Sequence, residues 1–255
     1  MGHIFSTSMQ KGGVGKTTTT QNVGVNLSKM GAKVLLVDLD PQANLSLGLG
    51  VSLEDLQYSV YEVLLNPAHG SAFATVTTQS GVDLIPSTLA LAGAELELAG
   101  KVGREMLLKR ALASVVDSYD YIIIDSPPNL GLFTLNAMAA AHKVIVPVQL
   151  QVYAFRAMPQ LEATIELVRQ LNPELEIGGI VGTMYDGRTN LSKSVERQVR
   201  TKYGALMFET LIPLNTKLAE SPAAGEPIST YDPEGAGALA YAKLTREVVS
   251  RYGWR

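Results

Sequence analysis

The sequence predicts an α/β fold, a single domain over 1–255 built on a mostly parallel, twisted β-sheet with helices on both faces. Three observations carry that prediction. Short apolar runs alternate with helix-compatible stretches along all 255 residues, the pattern of repeated βαβ units. A glycine-rich segment, Gln10-Lys11-Gly12-Gly13-Val14-Gly15-Lys16-Thr17-Thr18, lies between the first apolar run and the first helical stretch. Two later apolar runs, 33–37 and 121–124, each end in an aspartate.

The first apolar run predicts a strand over 4–8, and the helix after the glycine-rich segment runs over 16–30, closed by Gly31 where a C-terminal glycine cap belongs. Residues 33–37 are almost continuously apolar, as in a strand buried on both faces, and lead into Asp38-Leu39-Asp40-Pro41-Gln42. The glycine- and leucine-rich stretch 44–60 carries no readable period, whereas 60–65 reads as a short helix stopped by Asn66-Pro67. A strand is predicted over 82–86 and a helix over 105–116, where Met106, Leu107, Ala111, Leu112 and Val115 share one face. Residues 121–125 form the clearest buried strand. There follow a helix over 135–141, a strand over 144–148, a long helix over 154–171 with an early Pro159, a strand over 177–185, a helix over 191–203, a strand over 206–212 and a final helix over 236–252. No repeat, linker or low-complexity tail interrupts the series.

Composition narrows the function. With 46% hydrophobic and 18% charged residues and a mean hydropathy of +0.14, the chain belongs with packed globular proteins, far from the disordered class. The absence of cysteine excludes disulfides and any thiolate-held zinc or iron–sulfur centre. The N-terminus lacks a signal-peptide pattern and no apolar run reaches transmembrane length, so a cytoplasmic protein is expected. A net charge of −3 weighs mildly against constitutive nucleic-acid binding, although a local basic face is compatible with it.

The glycine-rich segment carries the chemistry. In the phosphate-loop pattern G-x-x-x-x-G-K-[ST], backbone N–H groups and a helix N-terminus surround phosphates while the lysine reaches their outer oxygens. Gly15, Lys16 and Thr17 match its end, but Gln10 stands where the first glycine belongs and is followed by a second lysine, Lys11. Thr17 supplies a hydroxyl suited to Mg²⁺, and Asp125, ending an apolar strand, fits the acid that holds that ion directly or through water. In an open parallel sheet the loop, Asp38, Asp40 and Asp125 all fall on the carboxyl edge, where such folds bind ligands. Taken singly, each piece has a plainer reading as a turn or a helix cap; together they point to a nucleoside triphosphate with Mg²⁺.

Four motifs, Lys11-Gly12-Gly13-Val14-Gly15-Lys16-Thr17-Thr18, Val37-Asp38-Leu39-Asp40-Pro41-Gln42, Ile124-Asp125-Ser126-Pro127-Pro128 and Thr183-Met184-Tyr185-Asp186-Gly187-Arg188, resemble those of the deviant Walker-A ATPases of the ParA partition type, in the same order and over nearly the whole chain. The superfamily also holds the division-site ATPases and the nitrogenase iron protein, the last excluded by its need for cysteines. The resemblance implies a phosphate-loop nucleoside-triphosphatase fold of the deviant Walker-A class and slow, partner-stimulated hydrolysis of ATP with Mg²⁺. It implies that Gly12, Gly13, Val14, Gly15, Lys16, Thr17 and Thr18 hold the phosphates, with Thr17 and Asp125 at the metal and Asp38 near its solvent shell. Asp40 would orient the attacking water, and Lys11 would cross a dimer interface to the partner's nucleotide, much as an arginine finger does. Met184, Pro213 and Asn215 would line the adenine pocket, while Leu214 and Glu226 stand where the family often has cations.

The resemblance further implies a homodimer on ATP binding, non-specific DNA binding on the nucleoid and a ParB-like adaptor, in chromosome or plasmid partition. The local sequence supports DNA modestly: between 188 and 217 lie Arg188, Lys193, Arg197, Arg200, Lys202 and Lys217 against only Glu196 and Glu209, with Lys193, Arg197 and Arg200 on one helix face. Lys243, Arg246 and Arg251 occur on the last helix and would extend that patch in a dimer. The plainer reading is a solvated charged helix. Because the chain starts one strand before the loop, no N-terminal helix-turn-helix is expected. Alternatives are a positioning ATPase for a non-DNA cargo, a metabolic phosphate-transferring enzyme and, least, a membrane-associated division-site ATPase. The tail 248–255 is too short and glycine-broken for a membrane helix, so no membrane partner is expected.

Overall fold

The computed structural model describes residues 2–151 and 157–254. Strands β1 (His3–Thr7), β2 (Val34–Asp38), β3 (Val76–Thr77), β4 (Asp83–Ile85), β5 (Tyr121–Asp125), β6 (Lys143–Gln149), β7 (Glu176–Tyr185) and β8 (Met207–Pro213) form one sheet in the order β3-β4-β2-β5-β1-β6-β7-β8. Every described pairing is parallel except β3 with β4. The helices are α1 (Lys16–Lys29), α2 (Asn44–Gly48), α3 (Val60–Leu65), α4 (Leu91–Leu98), α5 (Leu107–Leu112), α6 (Leu132–Ala140), α7 (Met158–Val168), α8 (Asn190–Tyr203), α9 (Lys217–Glu220), α10 (Ile228–Tyr231) and α11 (Ala236–Tyr252).

Strand periodicity divides the core in two. Leu35, Val37, Ile122 and Ile124 face the apolar layer that includes side chains of α3 to α8, while Val34, Leu36, Tyr121 and Ile123 face the layer built with α1, α10 and α11. Both faces are therefore dry, which is why these strands read as unbroken apolar runs rather than alternating ones. The fit between α1 and β2 is close: a Cβ added at Gly24 would lie 2.6 Å from Leu36 Cδ2. Leu36 is fully buried there. Leu36→Ala is expected to cost about 2–5 kcal/mol, read from the midpoint of urea unfolding.

The long strands and helices fall where the sequence puts them, within a few residues, and 60–65, 121–125 and 236–252 match to the residue. Differences cluster at irregular segments. The predicted helix over 105–116 is only α5, flanked by single 3₁₀ turns at Arg104–Met106 and Val116–Ser118. The helix over 154–171 is α7, opening on Met158 with Pro159 in its first turn, where a missing N–H does no harm; the predicted start at 154–156 lies outside the described residues. Unforeseen are α4, α9, α10, the short β3, and α2 within the stretch that carries no period. Each is short and takes its place from contacts with neighbouring elements rather than from a period of its own.

The exposed edge of β8 is closed by side chains. Glu247 accepts from Glu209 N at 2.8 Å and Thr210 N at 2.9 Å, and Arg200 Nη2 donates to the Glu209 carbonyl at 3.2 Å. These contacts occupy part of the strand's outer ladder, one of the ways an exposed edge is blunted. Among the described residues no helix is long and apolar enough to cross a membrane.

Candidate nucleotide site

The strand order reverses around β1, which has β5 on one side and β6 on the other. At this crevice Thr7 and Asp38 both pair in register with Asp125, so the two strand-end carboxylates stand level beside the loop. Within the loop Gly13 and Gly15 adopt the left-handed conformation, φ +69° and +89°, which a side chain there would resist. A Cβ placed on Gly12 or Gly13 would meet nothing within 4 Å, so the crest is open to an approaching group. The N-terminus of α1 behind it has no side-chain cap and no acidic residue in its first turn. Its unpaired N–H groups and dipole make that opening an anion site.

Lys16 is buried, and desolvation lowers its proton affinity against the pull of Asp125 and Asp40. Its amine donates to the Lys11 carbonyl at 3.2 Å. Thr17 Oγ1 donates to Asp125 Oδ2 at 2.6 Å. Burial, with Asp38 as the next cause, pushes the Asp125 carboxyl up to about 8; burial likewise pushes Asp38 up to about 6 although Ser46 and Asp40 donate to it. Three carboxylates with one amine make a site that lacks positive charge. Among the described residues no group of three or more His, Asp or Glu could hold a metal by itself. That donor set fits Mg²⁺, which is taken up through one or two protein oxygens and completes its shell with phosphate and water.

These shifts predict a pH dependence. A carboxyl that holds its proton more tightly folded than unfolded stabilises the fold at low pH and loses that contribution as pH rises through its folded value. For Asp125 the loss falls as pH rises toward about 8. His142 and Lys16, whose proton affinities burial lowers, act the other way. Asp125→Asn is therefore the reference: without nucleotide and in EDTA, its Tm advantage over wild type is expected to be larger at pH 8 than at pH 6.

The Asp40 turn is strained. Ala43 sits at φ +54°, a conformation that costs a residue with a Cβ about 1–3 kcal/mol. Asp40 N donates to Asp38 Oδ1 at 3.1 Å, Gln42 N to Asp40 Oδ1 at 2.9 Å, and Ala43 N to the Asp40 carbonyl at 2.9 Å. Asp40 Oδ2 takes no hydrogen bond from the described residues and is near enough to Lys16 to raise its proton affinity. Asp38, expected near the metal's solvent shell, instead has its oxygens engaged by protein donors: Oδ1 by Asp40 N, Oδ2 by Ser46 N at 3.0 Å and Ser46 Oγ at 2.8 Å. Lys11, expected to reach outward, lies back on its own protomer, its amine 2.8 Å from Gln149 Oε1 at the end of β6.

A cavity of about 240 Å³ runs from Gly13, Gly15 and Thr18 to Met184, Pro213 and Asn215, bringing the predicted phosphate and base residues into one cleft. Thr183, from the fourth motif, also lines it, as do Leu218, Ala219 and Tyr241, which escaped sequence reasoning because only tertiary packing brings α9 and α11 there. Thr183 Oγ1 donates to the Val14 carbonyl at 2.9 Å, tying β7 to the crest of the loop. Met184 is the second strained residue, φ +52°. The two non-glycine residues with left-handed backbone among those described thus both border the candidate site.

The basic segment is less uniform than its sequence suggests. Arg188 projects from the loop before α8 and pairs with Asp186 at 2.9 Å. Arg200 is spent on Glu196 at 2.6 Å and Glu209 at 3.2 Å. Lys202 pairs with Glu162, and Lys217, on α9, with Glu220 at 2.8 Å. Arg251 stacks on Phe208, 4.1 Å from the ring centre, and donates to the Gly178 carbonyl, so its side chain is held against the protein while its charge stays exposed. Lys193 and Arg197 remain exposed with no ion pair among the described residues, as do Lys243 and Arg246.

Known proteins are similar to this chain in sequence and in fold. The family described as "AAA domain" matches residues 2–177. The chain is 46% identical over 251 residues to the sporulation initiation inhibitor protein Soj of Bacillus subtilis, covering 98% of this chain and 99% of that protein. It is 46% identical over 256 residues to the chromosome-partitioning ATPase Soj of Treponema pallidum, covering 100% of both. Among solved structures, cobyrinic acid a,c-diamide synthase of Mycobacterium smegmatis with bound ADP and magnesium superposes with a TM-score of 0.86 at 39% identity, over 99% of this chain and 96% of that one.

Proposed function

Since the chain belongs to the ParA/Soj family of partition ATPases, and is thus an ATPase using ATP with Mg²⁺, we propose that it works as a dimerising switch on DNA. Two subunits, each a single domain, close face to face on ATP, the dimer binds DNA without sequence preference on the nucleoid in the cytoplasm, and slow hydrolysis prompted by a ParB-like adaptor releases it.

The observation that carries this reading is the division of labour between two loop lysines. Lys16 is buried and bonded within its own loop, whereas Lys11 stands at the rim with its amine on a neutral amide. A solitary active site needs only the first. In the proposed cycle the α1 N-terminus and Lys16 bind phosphate oxygens, and Thr17 with Asp125 hold Mg²⁺, which supplies charge neutralisation on the phosphates. Asp40 Oδ2 orients and polarises the attacking water, and Lys11 leaves Gln149 to meet the partner's nucleotide, where a cation delivered in trans offsets developing charge. The apolar cleft at Met184, Pro213 and Asn215 takes the adenine.

Size-exclusion chromatography with ATP against ADP tests the switch. A dimer with ATP, made long-lived by Asp40→Ala, is expected; a chain that stays monomeric with hydrolysis blocked overturns it. That outcome would favour a second reading, a biosynthetic ATP-using enzyme, suggested by the likeness to a diamide synthase.

For DNA, the exposed and unpaired Lys193 and Arg197 support a face on α8, and the Arg188–Asp186 pair, being exposed, is weak enough to yield to a phosphate. Arg197→Glu is expected to lower DNA retention in filter binding with ATP by about tenfold and to reduce the salt slope by about one. Arg200→Glu also breaks two ion pairs, so its loss would report folding as well. Unchanged retention in an Arg197→Glu variant that still dimerises moves the DNA face elsewhere.

A further inference from the structure

We propose that Ser46, on α2, is a positioning residue for ATP hydrolysis: it fixes the Asp38 carboxylate, and through it the backbone of Asp40. The inference rests on the reading of Asp40 as the residue that orients the attacking water. Ser46, Asp38 and Ser87 are all fully buried. Ser87 N, just beyond β4, donates to Ser46 Oγ at 3.1 Å. Ser46 Oγ and Ser46 N donate to Asp38 Oδ2 at 2.8 and 3.0 Å, and Asp38 Oδ1 receives Asp40 N at 3.1 Å.

Each link has one arrangement. The Ser46 hydroxyl has a single proton, which goes to Asp38, and one of its two lone pairs is met by Ser87 N, so its torsion is set from both sides. With two donors on Oδ2, the Asp38 carboxylate is held in one plane. That plane aims Oδ1 at Asp40 N in a turn that regular structure does not hold and that carries a left-handed Ala43. The orientation of Asp40 is thus decided on α2, six residues further along the chain. A group that must orient a water loses about 10²-fold for a displacement near 1 Å, so a tether of this kind affects rate before binding.

The helix that bears Ser46 has other anchors. Gln21 on α1 donates to the Gly48 carbonyl, and Gly50 packs against Gly225, where an added Cβ would lie 3.1 Å from the Gly225 carbonyl. Removing the hydroxyl therefore leaves α2 seated while freeing the carboxylate to turn.

Phosphate release with Mg²⁺–ATP and duplex DNA, read as kcat and KM, tests the proposal on the full chain. Ser46→Ala is expected to lower kcat by about 10- to 100-fold, with KM for ATP changed less than about twofold and the ATP-bound dimer persisting longer; Ser46→Thr, which keeps the hydroxyl, is expected to restore kcat to within about threefold. Ser46→Cys, nearly isosteric and a weak donor, gives the same reading should Ser46→Ala not fold. Wild-type kcat in Ser46→Ala or Ser46→Cys overturns the inference, as does a fall in kcat accompanied by equal changes in KM and Tm. Leu112→Ala, a core variant on α5, shows what a purely structural defect looks like. Asp40→Ala separates the levels: if it hydrolyses normally, the reading of Asp40 fails, whereas an inert Asp40→Ala beside an unaffected Ser46→Ala sinks only the role of Ser46.

Discussion

Lys11→Ala is expected to abolish ATP-dependent dimerisation and to lower hydrolysis by about 10²-fold or more, while the monomer still binds ATP within about threefold of wild type. The magnitude follows from the worth of a cation supplied to a transferring phosphoryl group from a partner subunit, about 10³–10⁵ in kcat where it has been isolated. The split between binding and assembly follows from the geometry. In the single protomer the Lys11 side chain makes one hydrogen bond, to Gln149, and its amine lies apart from Lys16, which uses only the Lys11 carbonyl. Truncation keeps that carbonyl, so the loop retains its conformation, and stability should change by no more than about 1 kcal/mol. Sedimentation with ATP and with ADP, alongside ATP affinity by calorimetry, checks it. Dimers at wild-type concentration with Lys11→Ala would return Lys11 to a solvated loop lysine and with it remove the main argument for a shared site.

Lys16→Ala is expected to fail earlier, at nucleotide binding itself, by about 2–5 kcal/mol, a loss of roughly 30-fold to several thousandfold in affinity. Its amine is the buried positive charge among Asp40, Asp38 and Asp125. Without it, the triphosphate would enter beside carboxylates that nothing offsets except the α1 N-terminus and the metal. The contrast between the two lysines is the informative result, because both belong to one loop and carry the same charge. An equal loss of ATP affinity in both variants would contradict the assignment of one to each subunit.

Much of this was legible before the fold was known. The apolar run ending in Asp125 marks a strand buried on both faces and a carboxylate at its carboxyl end, since strand period and burial are local properties that sequence records directly. The same holds for Gly15-Lys16-Thr17, whose function depends on backbone conformation and on a helix that starts at once. The pairing of Thr17 with Asp125 follows from topology, whereas the grouping of Met184, Pro213 and Asn215 with the loop was expected only from the resemblance to the ParA-type ATPases. Other features left no trace. Ser46 is one serine in a glycine- and leucine-rich stretch without a period, and its partners Asp38 and Ser87 are 8 and 41 residues away. Gln149 ends a strand as many polar residues do.

The basic segment shows the limit most clearly. Counting charges predicts a patch over Arg188, Lys193, Arg197, Arg200 and Lys217, yet Glu196 and Glu209 take up Arg200 and Glu220 takes up Lys217. A formal charge is a property of the residue, but whether it faces solvent unpaired depends on which acids the fold brings within reach. By itself the sequence determined the sheet, the phosphate loop and the kinds of residue around it, because these arise from short-range periodicity and fixed spacing along the chain. The tertiary structure alone decided how those residues are oriented: Asp38 turned inward on Ser46, Asp40 left with one free oxygen, Lys11 folded back on Gln149. Those orientations are set by hydrogen bonds that form only once the turn after β2, α2 and the end of β6 are in place, and at buried Asp38 an unmade bond would be costly.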